Sequence, residues 1–196
     1  MFKRRKITGI SLFCVGVLLI FCAAALCGFN IYSMEKAEAA SAEIAVQLEE
    51  MVADNRIAEG DASGSGTPAE LAINGNRYIG IVSVPSRGLW LPVRADISYP
   101  ALRESPCCYS GSVSGGDLVI AAHNYPAHFG TLSRLSNGEY IEFIDGSGYV
   151  TKYTVVRIEI LEPDEVKRMT DSGYDLTLFT CTPGGGSRVT VRCMKI

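Results

Sequence analysis

The stretch Asp175-Leu176-Thr177-Leu178-Phe179-Thr180-Cys181-Thr182-Pro183-Gly184-Gly185-Gly186-Ser187-Arg188-Val189-Thr190-Val191-Arg192-Cys193 decides the fold. Two runs rich in Leu, Val, Thr and Phe flank Pro183 and three glycines, which supply turn conformations that a strand cannot use. Residues 176–181 and 188–194 are therefore expected to pair as antiparallel strands. If Cys181 faces Arg188, then Thr180 faces Val189, Leu178 faces Val191 and Leu176 faces Cys193, which gathers the apolar pairs on one side of the sheet. A one-residue slip would turn that set toward water, so the pattern itself specifies the register. The opposite side then carries Cys181 beside Arg188, with Cβ atoms roughly 5 Å apart.

A fixed positive charge beside a thiol favours thiolate, the nucleophilic form. Cys181 stands at a strand end against a glycine-rich loop and is the candidate nucleophile. Cys193 falls on the apolar side and reads as a core cysteine. Arg192 shares a side with Arg188 but lies about 13 Å further along the strand. It is expected to be a bystander, whose replacement by Lys costs little activity or stability.

Upstream, β-like segments at 78–84, 89–93, 117–122, 139–144 and 149–160 are each bounded by Gly, Pro, Asn or Asp. Short strands at this spacing make the chain mainly β, a closed barrel or a sandwich. A brief helix is expected at 129–135, where Phe129, Leu132 and Leu135 repeat at helical spacing. His123 directly follows the run Leu118-Val119-Ile120-Ala121-Ala122, at a strand end where a rigid scaffold presents functional groups. A cysteine nucleophile needs a proton partner, and the chain has two histidines. His128, past Pro126, is the alternative.

The first part of the chain differs in kind. No charged residue occurs from Ile7 to Met34, and the apolar run is long enough for the roughly 30 Å hydrocarbon core of a bilayer. Lys3, Arg4, Arg5 and Lys6 precede it while Glu35 and Glu38 follow, so a transmembrane anchor would leave the N-terminus in the cytoplasm and the rest outside. A cleaved signal peptide is the rival, with small-residue sites at 23–25 and 39–41, although a cleavable apolar region is usually only about 7–15 residues. Residues 35–57 are strong helix formers, with Ile44, Leu48 and Met51 at helical spacing. Residues 60–68 have linker composition. The expected organisation is thus 1–34 as basic tail and membrane anchor, 35–75 as juxtamembrane helix and linker, and 76–196 as the folded domain.

Thr177-Leu178-Phe179-Thr180-Cys181 with Arg188 seven residues after the cysteine resembles the active-site strand pair of the sortases, membrane-anchored cysteine transpeptidases of the Gram-positive cell surface. Residues 81–93, containing Val84-Pro85 and Leu91-Pro92-Val93, are similar to the opening strand pair of that family, and Ala121-Ala122-His123-Asn124 follows in family order. The resemblance covers 78–196. Ala122 departs from it, since many sortases have Gly before the catalytic histidine.

The resemblance implies a closed sortase-type β-barrel with short helices, in the cell membrane with its catalytic domain extracellular. It implies Cys181 as nucleophile, His123 as general acid, Arg188 as oxyanion or substrate-backbone partner, and Thr180 and Asn124 as substrate-binding residues. The substrates would be surface proteins bearing a C-terminal Leu-Pro-x-Thr-Gly-like sorting signal, and the acceptor an amine of a cell-wall precursor or a protein. Membrane lipid would be a partner of the N-terminal helix. The short 161–174 segment, where class B enzymes tend to insert a longer helix, and the lack of a long lid before the barrel favour a housekeeping or class D-like enzyme over a pilin polymerase, with a small class B-like enzyme left open beside it. A cysteine-peptidase-type hydrolase using the same Cys and His, and a non-enzymatic anchored β-domain, stay open beside it.

No cofactor or metal is expected. Glu104, Asp164 and Glu165 are the acidic loop residues that a calcium-binding sortase of class A would recruit, and solvated carboxylates are their simpler reading. The seven cysteines contain no Cys-x-x-Cys, and the adjacent Cys107-Cys108 makes poor zinc-ligand geometry. Cys14, Cys22 and Cys27 fall in the apolar span. Net charge is −3 with the basic cluster confined to the N-terminus, which excludes a nucleic-acid binder.

Overall fold

A computed structural model describes residues 2–59 and 70–196, with side chains described for 11–55 and 70–196. The linker expected at 60–68 lies outside the described residues. The chain divides into two compact units, Met1–Lys36 and Ala37–Ile196, with helix α1 (Phe2–Glu59) contributing to both. In the first unit Leu12, Phe13, Leu18, Leu19, Ile20, Phe21, Leu26 and Phe29 are all exposed. A helix that is apolar all round and covered by no protein suits a lipid environment, and this one is long and apolar enough to cross a membrane.

The second unit is a barrel. Its strands are β1 (Leu71–Ile73), β2 (Asn76–Val84), β3 (Leu89–Arg94), β4 (Cys107–Ser110), β5 (Leu118–Ala121), β6 (Tyr140–Asp145), β7 (Val150–Leu161), β8 (Leu176–Cys181) and β9 (Arg188–Lys195). Hydrogen bonding runs in the order β2-β3-β4-β5-β8-β9-β7-β6, and β6 pairs back onto β2 to close the ring. β1 adds to the first residues of β2. Closure depends on Gly80, which lies opposite Asp145 at φ +148°; a Cβ there would stand 2.1 Å from the carbonyl oxygen of Ile144. Only glycine fits that approach.

Strand alternation fills the interior. Val82, Val84, Leu91, Val93, Leu118, Ile120, Phe143, Val155, Leu176, Leu178, Val191 and Cys193 form its core, with Phe129, Leu132 and Leu135 closing one side. The expected helix over 129–135 is only a 3-10 turn, Leu132–Arg134. Its apolar residues are nonetheless core residues, because a tight turn can bury three side chains without a full helix.

The folded unit reaches further upstream than Asn76. Leu48 and Val52 of α1 are buried against Leu71, Ile73, Tyr78, Ile81 and Ile144, with Ile44 and Met51 packed beside them. The helical stripe read from the sequence thus finds a partner: the outer apolar face of β1, β2 and β6. Asn55 Nδ2 adds a hydrogen bond to the carbonyl of Gly146 at 2.9 Å. Burial at 25 cal/mol per Å² makes such a stripe worth several kcal/mol, enough to hold a helix on a barrel.

Two short helices complete the unit, α2 (Tyr99–Glu104) and α3 (Val166–Thr170). α2 starts where Ser98 Oγ accepts a hydrogen bond from the Ala101 amide, with Pro100 in its first turn. α3 lies over the outer side of β8 and β9, where Met169 packs with Leu161, Val119 and Phe179.

Candidate active site

β8 and β9 pair in the expected register, Leu176 with Cys193 through Cys181 with Arg188. The loop between them is tied by Thr182: its amide donates to the Ser187 carbonyl at 2.9 Å, and its hydroxyl accepts from the Ser187 amide at 3.1 Å. Arg188 donates through Nη1 to the carbonyls of Gly185 and Ser187, both at 3.1 Å. Among the described residues Arg188 forms no ion pair, so its charge is left beside Cys181 without a neutralising carboxylate.

β5 runs parallel to β8 on the other side, with Leu118 level with Leu176 and Ala121 level with Phe179. Two more steps along both strands bring His123 level with Cys181. Two hydrogen bonds carry that alignment past the end of β5: the Ala122 amide donates to the Phe179 carbonyl at 3.2 Å, and Thr180 Oγ1 donates to the Ala122 carbonyl at 2.8 Å. Neighbouring strands lie about 4.8 Å apart, so His123, Cys181 and Arg188 occupy successive strand ends on one rim of the barrel.

The chain after His123 folds into a tight loop in which Gly130 approaches the Asn124 and Tyr125 carbonyls too closely for any side chain. This loop turns Tyr125 back over His123, the rings stacked with centroids 5.0 Å apart and planes inclined by 29°. Tyr99 of α2 meets the same imidazole edge-on at 5.8 Å, and the guanidinium of Arg103 lies over Tyr99. Burial, and secondarily Arg103, hold His123 below its ordinary imidazole pKa. Its Nε2 is buried with no hydrogen-bond partner. A half-buried neutral imidazole on the strand end next to that of Cys181 can take a proton and return it.

The other sequence candidates separate. Thr180 is buried on the core side, opposite Cys181, and its hydroxyl is spent on the Ala122 carbonyl, so it stabilises the strand end rather than facing a ligand. Asn124 sits half-buried on the loop next to His123. His128 is completely buried, and burial together with His123 pushes its pKa down to about 4. Cys193 is buried in the core, its thiol pushed up to about 12, and Cys107 on β4 is pushed up to about 11, both by burial.

Arg192 corrects the sequence reading. It is no surface bystander: its side chain is 1% exposed, and it pairs through Nε with Glu159 at 3.0 Å. Its Nη atoms donate to Thr177 Oγ1 and to the carbonyls of Met169 and Arg168. The side of the hairpin that carries Cys181 at its end is thus roofed by α3 further down, and Arg192 holds the roof.

Glu104 lies against Arg94, and Glu165 against Arg168. Among the described residues no group of three or more His, Cys, Asp or Glu gathers at metal-binding distance. Tyr99, Arg103 and Tyr125 are the site residues that sequence reasoning missed. The Ser98-Tyr99-Pro100 helix-start signal was the available clue to the first two.

Residues 82–196 match the sortase domain family. The chain belongs to the sortase family. Solved structures resemble it throughout the barrel. Sortase C1 of Streptococcus agalactiae is 27% identical, with a TM-score of 0.56 over 64% of this chain and 71% of its own. Clostridium perfringens sortase C, solved with the C-terminal cell wall sorting motif, is 22% identical, with a TM-score of 0.56 over 79% and 90%. A sortase D5 transpeptidase of the same organism is 18% identical, with a TM-score of 0.54 over 64% and 82%. No curated protein sequence matches. Relatives of classes C and D score alike, so the comparison singles out no subclass. The protein is a sortase with a sortase barrel and an apolar N-terminal helix.

Proposed function

We propose that this sortase cleaves a Leu-Pro-x-Thr-Gly-like sorting signal on surface proteins and transfers the acyl group to an amine, using Cys181, His123 and Arg188. The observation that carries this is the alignment of the three residues on adjacent strand ends. Cys181 Sγ attacks the carbonyl after the threonine and its proton passes to neutral His123. The C–N bond breaks as His123 returns that proton to the departing glycine amine, which leaves a thioester on Cys181. An incoming amine attacks the thioester, gives its proton to His123, and the sulfur departs and is reprotonated. Arg188, charged at every working pH and presenting planar donors, stabilises the oxyanion that forms in each half. A sorting motif bound to the Clostridium perfringens relative supports the same substrate class here. Asn124, the residue after His123, is assigned to the substrate backbone in the same reading.

The acidic and basic flanks of the apolar helix support an N-terminus in the cytoplasm and a catalytic unit outside, where such substrates and cell-wall amines are found. The test is product analysis of the full chain in detergent micelles with a fluorescent sorting peptide. A transfer product appearing only with added oligoglycine is expected. Hydrolysis that is unchanged by amine would reassign the protein as a cysteine-peptidase-type hydrolase, and no cleavage of any sorting peptide would remove the proposed substrate class.

A further inference from the structure

Ser41 lies on α1, in the segment the sequence presents as a tether. It is 3% exposed, and its hydroxyl joins two other segments. It donates to the Glu104 carbonyl at the end of α2, and its oxygen lies 3.0 Å from His128 Nε2. A hydroxyl has one proton. Since that proton goes to the carbonyl, His128 donates through Nε2–H, and its Nδ1 is left bare, which matches its being buried without a partner.

Both arms of this bridge lead to His123. Through Glu104 it holds α2, whose Tyr99 packs edge-on against the His123 ring. Through His128 it holds the loop of residues 123–130, where the His128 ring lies against Tyr125 at 5.7 Å and Tyr125 stacks on His123. The imidazole is therefore clamped between two aromatic rings on separate segments, and one hydroxyl of α1 fastens both. Cys181, by contrast, is held by β5 and β9 and depends on neither arm.

We infer that Ser41 is a positioning residue for His123, so that the helix next to the membrane span is part of the proton-transfer machinery. This rests on His123 being the proton carrier proposed above. Without the bridge the two walls loosen, the imidazole gains water and rotational freedom, and the near-attack geometry of the proton transfer degrades while the nucleophile stays in place. The charged and titratable groups facing His123 are Tyr99 and Arg103 of α2, Tyr125 and His128 of its own loop, and Cys181 of β8. His128 loses its Ser41 partner in Ser41→Ala, so its ring is followed beside that of His123.

Ser41→Ala removes one atom from a helix and introduces the best helix former, so the fold survives. The chain has two histidines, so a full-length protein with labelled histidine in detergent micelles gives two ring systems. In Ser41→Ala the His123 ring signals should move and its titration midpoint should rise, with kcat down about tenfold and KM within about twofold. One ångström of misplacement can cost about 100-fold. Ser41→Thr, which keeps the hydroxyl, should restore kcat. Val52→Ala, which loosens α1 elsewhere, should leave the His123 titration alone. An unmoved His123 ring in Ser41→Ala, or an equal shift in Val52→Ala, would overturn the inference. If His123→Ala retains turnover, the functional reading fails instead, and the ring measurements still decide whether Ser41 governs His123.

Discussion

Cys181 and Cys193 sit at the two ends of the hairpin and on opposite sides of it, so alternation alone gives them different chemistry. Cys193 is enclosed by Leu176 and its neighbours, and burial keeps it a neutral thiol. Cys181 is half-exposed at the rim beside Arg188. Cys181→Ala should abolish cleavage, while Cys193→Ala should keep it and lower stability by about 1 kcal/mol for the methyl-sized void. Mass spectrometry after brief iodoacetamide treatment checks the difference directly, since label on Cys193 ahead of Cys181 would contradict it. Arg188→Lys keeps the charge but loses the planar fork, and its rate on a sorting peptide should fall about 10²–10³-fold with the melting temperature nearly unchanged. Normal turnover by that variant would take Arg188 out of the site.

At the scale of elements, the hairpin was legible because its two apolar runs admit one register, and the register alone places Cys181 opposite Arg188. The position of His123 relative to Cys181 was not legible in the same way. Parallel pairing of β5 with β8 joins residues 58 apart, as Leu118 and Leu176 are, and no local pattern encodes which strands become neighbours. α2, β4 and α3 escaped because four to six residues are too few to show a period. That omission is why Arg192 was misjudged: without α3 above it, its side of the hairpin reads as open to water. Arg192→Lys should therefore lower stability by about 1–3 kcal/mol, since the buried carbonyls of Arg168 and Met169 lose donors that an ammonium cannot reach together. Urea unfolding measures this, and a midpoint equal to that of the parent would show that the roof needs no fork. Activity per folded molecule should not change.

Across the whole molecule, the two histidines make stability depend on pH with a definite sign. Both have folded-state values below their unfolded ones, His128 at about 4 against an ordinary 6.5. Between those values the unfolded chain binds the extra proton, so stability is full above about pH 6.5 and declines as pH falls toward 4. For His128 the loss is of order 3 kcal/mol. His128→Gln should flatten the decline between pH 6.5 and 4, as followed by thermal melts across that range. An undiminished slope in the variant would place the titrating groups elsewhere. Carboxylates such as Glu139 and Glu165, held below their usual range by hydrogen bonds, begin to contribute only at the acid end of that window.

The position of β9 has a consequence for how the enzyme is born. It is the last strand in chain order, yet it lies inside the ring, bonded to β7 on one edge and β8 on the other. A chain synthesised from its N-terminus cannot complete its barrel, or bring a guanidinium to its thiol, until those last residues have been made. Until then it holds unpaired strand edges but no assembled active site. Every growing chain thus lacks the pairing of Cys181 with Arg188 until its last strand is in place, and topology alone sets that delay.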